Sequence, residues 1–306
     1  MSTASRRPRI AWLVNLYSDP DRQHAHGAAL LHTLAAQLGA DVVPFYCIDT
    51  EATALETIEP VERVAYTKAR LAALLGEHDL PITDSVIVTA GDDANTTAKA
   101  GAIASAIRDE EVLLTFVHSQ ALSSVDRFLL GSFSEAFFSR TSIPVVLLNP
   151  HAAVPTAFDT IVFGTDLGEH CTVVFDALLP IARMLNARVH IEHQLVVREL
   201  SPFMKSEATR TQYDEEIRTM REDATASMQR LLVAAEVAGV LATASVEVEG
   251  PSISPGEGIE GRANNRGTSM IAVPAHGGKK RPGNIGSTAL WLMRHAKRPV
   301  LVMAAP

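Results

Sequence analysis

The sequence is short of the residues that mark several specialised classes of protein. Its two cysteines, Cys47 and Cys171, are too few for a disulfide framework. Its 27 lysines and arginines are outnumbered by 35 aspartates and glutamates, so it lacks the positive charge with which proteins neutralise a phosphate backbone. No apolar run approaches the roughly 20 residues that span a bilayer, and the N-terminus resembles no secretion signal. We therefore expect a cytoplasmic protein that neither binds nucleic acid nor inserts into a membrane.

An internal repeat is the most informative feature that the sequence contains. Gly131-Ser132 and Gly286-Ser287 are 155 residues apart, and so are Pro144 and Pro299, which open the last apolar run of each copy. A repeat of about 150 residues indicates a duplicated domain, because the units of solenoid proteins are only about 20–50 residues long. We predict a first domain over residues 1–150 and a second over residues 156–306.

The two copies share one order of predicted elements. Short β-branched runs alternate with longer segments whose apolar residues recur at helical spacing, a pattern that predicts an α/β fold with a parallel sheet flanked by helices. Crossover helices are predicted at residues 28–38 and 173–185. The predicted strands are residues 10–14, 42–48, 85–89, 112–117, 145–148, 160–164, 189–196, 243–248, 269–273 and 300–303.

The carboxyl ends of the predicted strands hold the candidate binding residues, because open parallel sheets bind ligands beyond those ends. In the second copy the first strand ends at Thr165-Asp166, and Gly277-Gly278 and Gly286-Ser287-Thr288 follow the fourth strand. Glycines let backbone N–H groups approach a phosphate, and a helix beginning at Ser287 offers unpaired N–H groups to an anion. Asp166 is suited to a ribose hydroxyl. Together these residues favour a nucleotide, although each alone is equally typical of a helix cap, a turn or a solvated loop.

This ordered set of features resembles the universal stress protein family, and the resemblance covers almost the whole chain twice. ATP-binding members of that family carry an aspartate after the first strand and a loop of pattern G-x2-G-x9-G-[S/T]. In the second copy Asp166, Gly277 and Gly286-Ser287 match this pattern, and Gln194 falls where the family presents backbone groups to adenine. The resemblance implies two tandem Rossmann-like domains, each a five-stranded parallel sheet of order 3-2-1-4-5. It also implies ATP as the ligand, with Mg²⁺ held through the phosphates.

Both copies depart from the family pattern. Pro274 stands at the first glycine of the second loop, which is one residue short, and a proline cannot donate an N–H group. In the first copy the aspartate position is Asn15, the loop glycines are His118 and Ala121, and Cys47 takes the adenine-facing position. We therefore expect nucleotide binding mainly in the second domain, with the first domain as its structural partner.

Two functional hypotheses remain open. The first is an ATP-binding module of the stress response whose occupancy alters its interactions with partners. The second is a non-nucleotide scaffold or interaction protein in which both sites have decayed. No catalytic residue is predicted, since the sequence has no P-loop, no nucleophile elbow and no evident acid–base pair, so at most slow hydrolysis of bound ATP is expected.

Two further expectations concern metals and assembly. No metal site is predicted, because His190 and His193 lie on a predicted strand whose alternation points them to opposite faces. Family members commonly dimerise through their last strands. We expect the two copies to build that contact internally, by pairing Pro144–Asn149 with Pro299–Met303, and we leave a homodimer of chains open.

Overall fold

The helices and strands of the protein alternate along the chain, as the repeat predicts. The computed structural model describes residues 7–14, 20–48, 58–89, 95–118, 136–197, 206–275 and 285–304. The strands are β1 (Arg9–Leu13), β2 (Asp41–Ile48), β3 (Val86–Thr89), β4 (Leu114–His118), β5 (Val145–Leu148), β6 (Thr160–Gly164), β7 (Arg188–Val196), β8 (Ala242–Glu249), β9 (Met270–Pro274) and β10 (Val300–Met303). The helices are α1 (Pro20–Leu38), α2 (Pro60–Gly76), α3 (Thr96–Asp109), α4 (Cys171–Met184), α5 (Glu207–Val237), α6 (Pro255–Asn265) and α7 (Ser287–His295).

All ten strands lie in one sheet of order β3-β2-β1-β4-β5-β10-β9-β6-β7-β8. The neighbours within β1–β5 and within β6–β10 are parallel. Each half therefore has the order 3-2-1-4-5, which confirms the predicted fold class. In each half the second and third strands lie on one side of the first strand, and the fourth and fifth lie on the other side. The first and fourth strands therefore form the switch point of the sheet.

The two halves meet where β5 and β10 pair, as the sequence led us to expect. The pairing is antiparallel, with Val146 opposite Leu301. Backbone and side-chain hydrogen bonds reinforce this junction. The Asn149 side-chain amide donates to the Ala296 carbonyl at 2.9 Å, and the Ala153 N–H donates to the Lys297 carbonyl at 2.8 Å. The last strand of each half is thus covered by the other half rather than left as an open edge.

Two apolar cores lie on opposite faces of this sheet and run through both halves. Strand alternation sends Ile161 and Phe163 to the core under α1, α2, α4 and α5, while Val162 joins the core under α3, α6 and α7. These strands are buried on both faces, which explains their continuous Val- and Ile-rich runs. In the described parts of the chain, no helix combines the length and apolar composition needed to cross a bilayer.

Candidate functional site

The candidate site lies at the carboxyl ends of β6, β7 and β9. Phe163 of β6 is opposite Ala272 of β9, and Gly164 is opposite Glu192 of β7. Two residues further along each of these pairs, Thr165 is next to Pro274 of β9 and Asp166 is next to Gln194 of β7. The predicted site residues of these three strands are therefore neighbours, although more than 100 residues separate the first from the last in sequence.

Thr165 and Asp166 shape the turn that leaves β6. Thr165 is buried, and its hydroxyl donates to the Cys171 sulfur at 2.9 Å while accepting from the Leu167 N–H at 3.0 Å. Burial raises the pKa of the Cys171 thiol, so this sulfur stays neutral. The exposed Asp166 carboxylate accepts from the Gly168 N–H through Oδ1 at 2.9 Å. Thr165 thus fixes the turn from inside, while Asp166 presents a negative charge at the strand ends.

The Gln194 side chain is held away from that edge by helix α6. Its Oε1 accepts from Arg262 Nη2 at 3.0 Å, and its Nε2 donates to the Ile253 carbonyl at 3.3 Å. Helix α6 approaches closely because it has a glycine at this point. A Cβ at Gly258 would lie 2.2 Å from Gln194 Oε1.

The backbone of Gln194, in contrast, is directed at the site. Glu192 accepts the Thr165 N–H at 3.0 Å, and alternate residues of a strand direct their backbone groups to the same neighbour, so Gln194 also faces the β6 side. Among the described residues, the next ladder bond, from the Gln194 N–H to the Thr165 carbonyl, is not formed, and this carbonyl accepts from His193 Nδ1 at 2.9 Å instead. Among the described residues, no group from β6 bonds to the Gln194 N–H or C=O. This donor and acceptor pair is what the edge of a purine base requires.

The fourth strand and the last helix form the other side of the site. Pro274 ends β9, and the Gly286 N–H donates to the Ala275 carbonyl at 2.7 Å, so the end of the strand and the start of α7 are in contact. Gly286 is the N-cap, and Ser287, which is exposed, is the first helical residue. Thr288 is half-buried in the first turn. The predicted residues Gly277 and Gly278 lie outside the described residues.

An ion-pair network that the sequence analysis did not identify lies beneath the site. Arg262 of α6 contacts Glu192 at 2.6 Å and Glu249 at 2.7 Å, in addition to Gln194. The Glu192 side chain is fully buried, and burial raises the pKa of this carboxyl while Arg262 opposes the shift. The available signal was a glutamate at an inward position of a central strand, in the run RVHIEHQLV. A buried carboxylate there requires a cationic partner, but nothing local identifies Arg262, which is 70 residues away.

The equivalent edge of the first half is built differently. His118 ends β4 at the position of Pro274, and its Nε2 lies 3.4 Å from Nδ1 of His26 on α1. His26 Nε2 donates in turn to the Ala152 carbonyl at 2.8 Å. Cys47 is half-buried in β2. Asn15, Ala121 and Gly131-Ser132, on which the comparison of the two sites also depends, lie outside the described residues.

The two histidines of β7 make separate contacts. His190 lies 2.8 Å from the Thr243 hydroxyl and 3.0 Å from the Ser245 hydroxyl, both on β8. Burial, followed by the charge of Arg266, lowers the pKa of His190 to about 4. His193 instead bonds to the Thr165 carbonyl, as described above. Among the described residues, no three histidine, cysteine or acidic side chains form a cluster able to hold a metal ion.

Comparison with known proteins finds one matching family model and several solved structures of similar fold. The model of the universal stress protein family matches residues 157–304. A universal stress protein from Archaeoglobus fulgidus matches in structure with a TM-score of 0.61 and 14% identity, over 98% of this chain and 100% of that one. A functionally unknown protein from Pseudomonas aeruginosa PAO1 matches with a TM-score of 0.55 and 15% identity, over 97% of this chain and 92% of that one. No curated protein matches in sequence. At these identities the solved structures establish the fold of the whole chain and nothing more.

Proposed function

Because the second half of this chain, residues 157–304, belongs to the universal stress protein family, we propose that this half binds an adenine nucleotide, with ATP as the preferred ligand. Mg²⁺ would enter with the phosphates. The nucleotide would lie across the carboxyl ends of β6, β7 and β9. Its occupancy would alter contacts with partner proteins as part of a stress response, and the first half would act as a structural partner.

The open backbone groups of Gln194 carry this proposal. A strand whose N–H and C=O lack a ladder partner next to the switch point offers a donor and an acceptor to a base. The remaining residues fit the rest of a nucleotide. The exposed Asp166 carboxylate suits a ribose diol, and the first turn of α7, from Ser287, directs its N–H groups and its positive dipole end at a phosphate.

A second candidate function is a scaffold that binds no nucleotide, and Pro274 favours it. This residue ends β9 opposite Met303 and stands where the family pattern has its first loop glycine. A proline has no N–H to offer a phosphate and has a fixed φ. If loss of this one donor abolishes phosphate binding, the edge is a remnant of an ancestral site and the paired halves act through their surfaces.

Retained ligand distinguishes the two candidates. Freshly purified protein would be denatured, and the released small molecules identified by mass spectrometry, alongside a thermal-shift titration with Mg-ATP. Binding predicts adenine nucleotide near one per chain or a rise in melting temperature that depends on ligand concentration. The scaffold predicts neither.

Substitutions then locate the site. Asp166→Asn retains an acceptor for the Gly168 N–H but removes the negative charge, and Ser287→Ala removes a hydroxyl at the start of α7. Each should weaken ATP binding about tenfold, close to the loss of one good hydrogen bond, as measured by calorimetry. Asn15→Ala, at the equivalent position of the first half, should leave affinity unchanged. Equal losses from changes at Asp166 and Asn15 would contradict binding mainly in the second half.

A further inference from the structure

The outward side of α4 is unusually apolar for a helix that faces solvent. Val173 is 43% exposed and Met184 37% exposed, and Ala177 and Pro180 also lie on the exposed side. A surface helix normally carries charged and polar residues there. The proposed nucleotide site does not account for this apolar stripe, because its residues lie at the strand ends and at the start of α7, not on the outward side of α4.

A groove of about 520 Å³ runs beside this helix. We call it the α4 groove, and its lining residues are Asp176, Leu179, Pro180, Arg183, Met184 and Ala238. Further apolar side chains follow at the end of α5, where Val237 is 85% exposed and Leu241 74% exposed. A grouped set of exposed apolar residues with a few charges is typical of a surface that contacts another protein.

The charges of the α4 groove identify the partner. Asp176 and Arg183 are the charged residues of α4, and they are two helical turns apart, or about 10.5 Å along the axis. The point midway between them falls between Leu179 and Pro180, which line the same groove. A second α4 laid antiparallel across a twofold axis at this point would set each Asp176 against the other copy's Arg183, twice. The surface is complementary to itself, as an isologous interface requires.

In the described parts of the chain, neither of these charges has a partner. Among the described residues, no ion pair or side-chain hydrogen bond involves Asp176 or Arg183. The last strands of the two halves are already used, because β5 and β10 pair with each other inside the chain. A contact between two chains therefore has to use a different surface, and the α4 groove offers one with both an apolar centre and matched charges.

We propose that a second copy of this chain occupies the α4 groove, through an antiparallel α4–α4 contact about a twofold axis between Leu179 and Pro180. The apolar side chains of α4 supply most of the buried area, and the end of α5 extends it toward the roughly 1,000 Å² that a specific interface needs. The paired charges set the register and exclude the parallel arrangement, which would oppose like charges. This proposal does not depend on nucleotide binding.

Charge reversal tests the contact on the full chain. Sedimentation velocity over a concentration series would compare the wild type with Asp176→Arg, Arg183→Asp and the double variant that carries both changes. The wild type should dimerise, and each single reversal should weaken self-association at least about tenfold, because it places like charges together twice. The double variant should recover the wild-type dimer, since its charges are again complementary. Lys68→Glu, an equally large reversal on the exposed side of α2, serves as the control and should leave the dimer intact.

Three results would overturn the proposal. A wild type that remains monomeric at every concentration would show that the groove is open or binds a different protein. A dimer that survives both single reversals would place the interface elsewhere. Failure of the double variant to recover, with the thermal unfolding of all variants unchanged, would show that the two charges do not face each other.

Discussion

The same sheet position is apolar in the first half of the molecule and polar in the second. Asp41 of β2 is opposite Arg9, the first residue of β1, and Arg188 of β7 is opposite Thr160, the first residue of β6. Asp41 and Arg188 are therefore at equivalent positions, and the two strands can be compared residue by residue. On the face toward α3, β2 carries Val43, Phe45 and Cys47. On the face toward α6, β7 carries His190, Glu192 and Gln194 at the equivalent positions.

The opposing helices differ to match. Ala106 of α3 lies eight residues before Leu114, where β4 begins, and Arg262 of α6 lies eight residues before Met270, where β9 begins. The first half therefore has an alanine at the helix position where the second half has Arg262, and the strand residues Phe45 and Glu192 are both fully buried. The strand residue and the helix residue therefore differ together between the two halves.

The difference shows that one fold can stabilise the layer between the second strand and its covering helix in two ways, with apolar or with polar side chains. Apolar packing has no charge-desolvation cost, whereas a buried ion pair must recover the free energy lost when two charges leave water. The polar layer has a geometric advantage instead. Arg262 ties Gln194 to Glu192 and Glu249, so it holds β7 and β8 against α6 directly beneath the proposed nucleotide edge.

The largest expected effect comes from breaking the polar layer at its centre. Arg262→Ala leaves the Glu192 carboxylate buried without its cation, and we expect a loss of about 3–5 kcal/mol in the free energy of unfolding at pH 7. Urea denaturation measures it. The loss should shrink at pH 5, because the carboxyl that has lost Arg262 has a pKa above its unfolded value and binds a proton in the folded state.

Introducing the apolar residues of the first half into the second half makes this test more specific. The double change Glu192→Phe and Arg262→Ala introduces the residues that the first half has at the equivalent positions, Phe45 and Ala106, and it should be more stable than Arg262→Ala alone by about 2 kcal/mol or more. If the double variant is the less stable of the two, the halves are not interchangeable at this layer and the comparison fails.

An intermediate effect is expected from His190, whose counterpart in the first half is Val43. Its folded-state pKa of about 4 lies below the unfolded value of 6.5, so between these pH values the unfolded chain binds more protons. The neutral imidazole therefore contributes stability above pH 6.5 that is lost as the pH falls toward 4. The full loss is up to about 3 kcal/mol.

Chemical denaturation of the wild type and His190→Gln at several pH values isolates this contribution. Glutamine retains hydrogen-bonding groups for the Thr243 and Ser245 hydroxyls but does not titrate. The variant should show a flatter decline in stability between pH 7 and pH 4. An unchanged decline would mean that His190 is protonated in the folded protein.

The smallest effect concerns two glycines of α6 that differ only in what faces them. Alanine at Gly261 meets nothing within 4 Å and should stabilise the protein by about 0.5–1 kcal/mol through helix propensity. Alanine at Gly258 would press on Gln194 Oε1 and on Arg262 Nη2, at 2.2 and 2.7 Å, so the same gain should be cancelled or reversed. Thermal unfolding of the two variants measures the difference. Equal stabilisation would show that Gln194 moves aside freely and is not held by Arg262.

Much of the architecture was predictable because it follows from local patterns. All ten predicted strands are present, and most of their ends lie within two residues of the prediction. The helix predicted at residues 28–38 begins earlier, at Pro20, because its first turns are too polar to show the apolar spacing. The order of strands came from the resemblance to a family, since periodicity does not determine which strands become neighbours.

The elements that carry the candidate site were more predictable than the contacts between them. Asp166 and Gln194 lie on neighbouring strands beside the switch point, and α7 begins at Ser287. The sequence did not reveal that the Gln194 side chain turns away toward Arg262. The resemblance implied that its backbone faces the ligand, but not that its N–H and C=O have no bond from any described residue of β6. That depends on where β6 ends relative to β7, which is a matter of register.

By itself the sequence determined the duplication, the strands and the helices, because each depends on residues that are near one another in the chain. Only the tertiary structure decided that Arg262 meets Glu192, that the Gln194 side chain turns to Arg262, and that Ala238 lines one groove with Asp176 and Arg183. These contacts join residues from different elements, and the packing of the sheet against its helices sets the distances between them. A residue's type restricts its possible partners, but its place in the packed fold selects one.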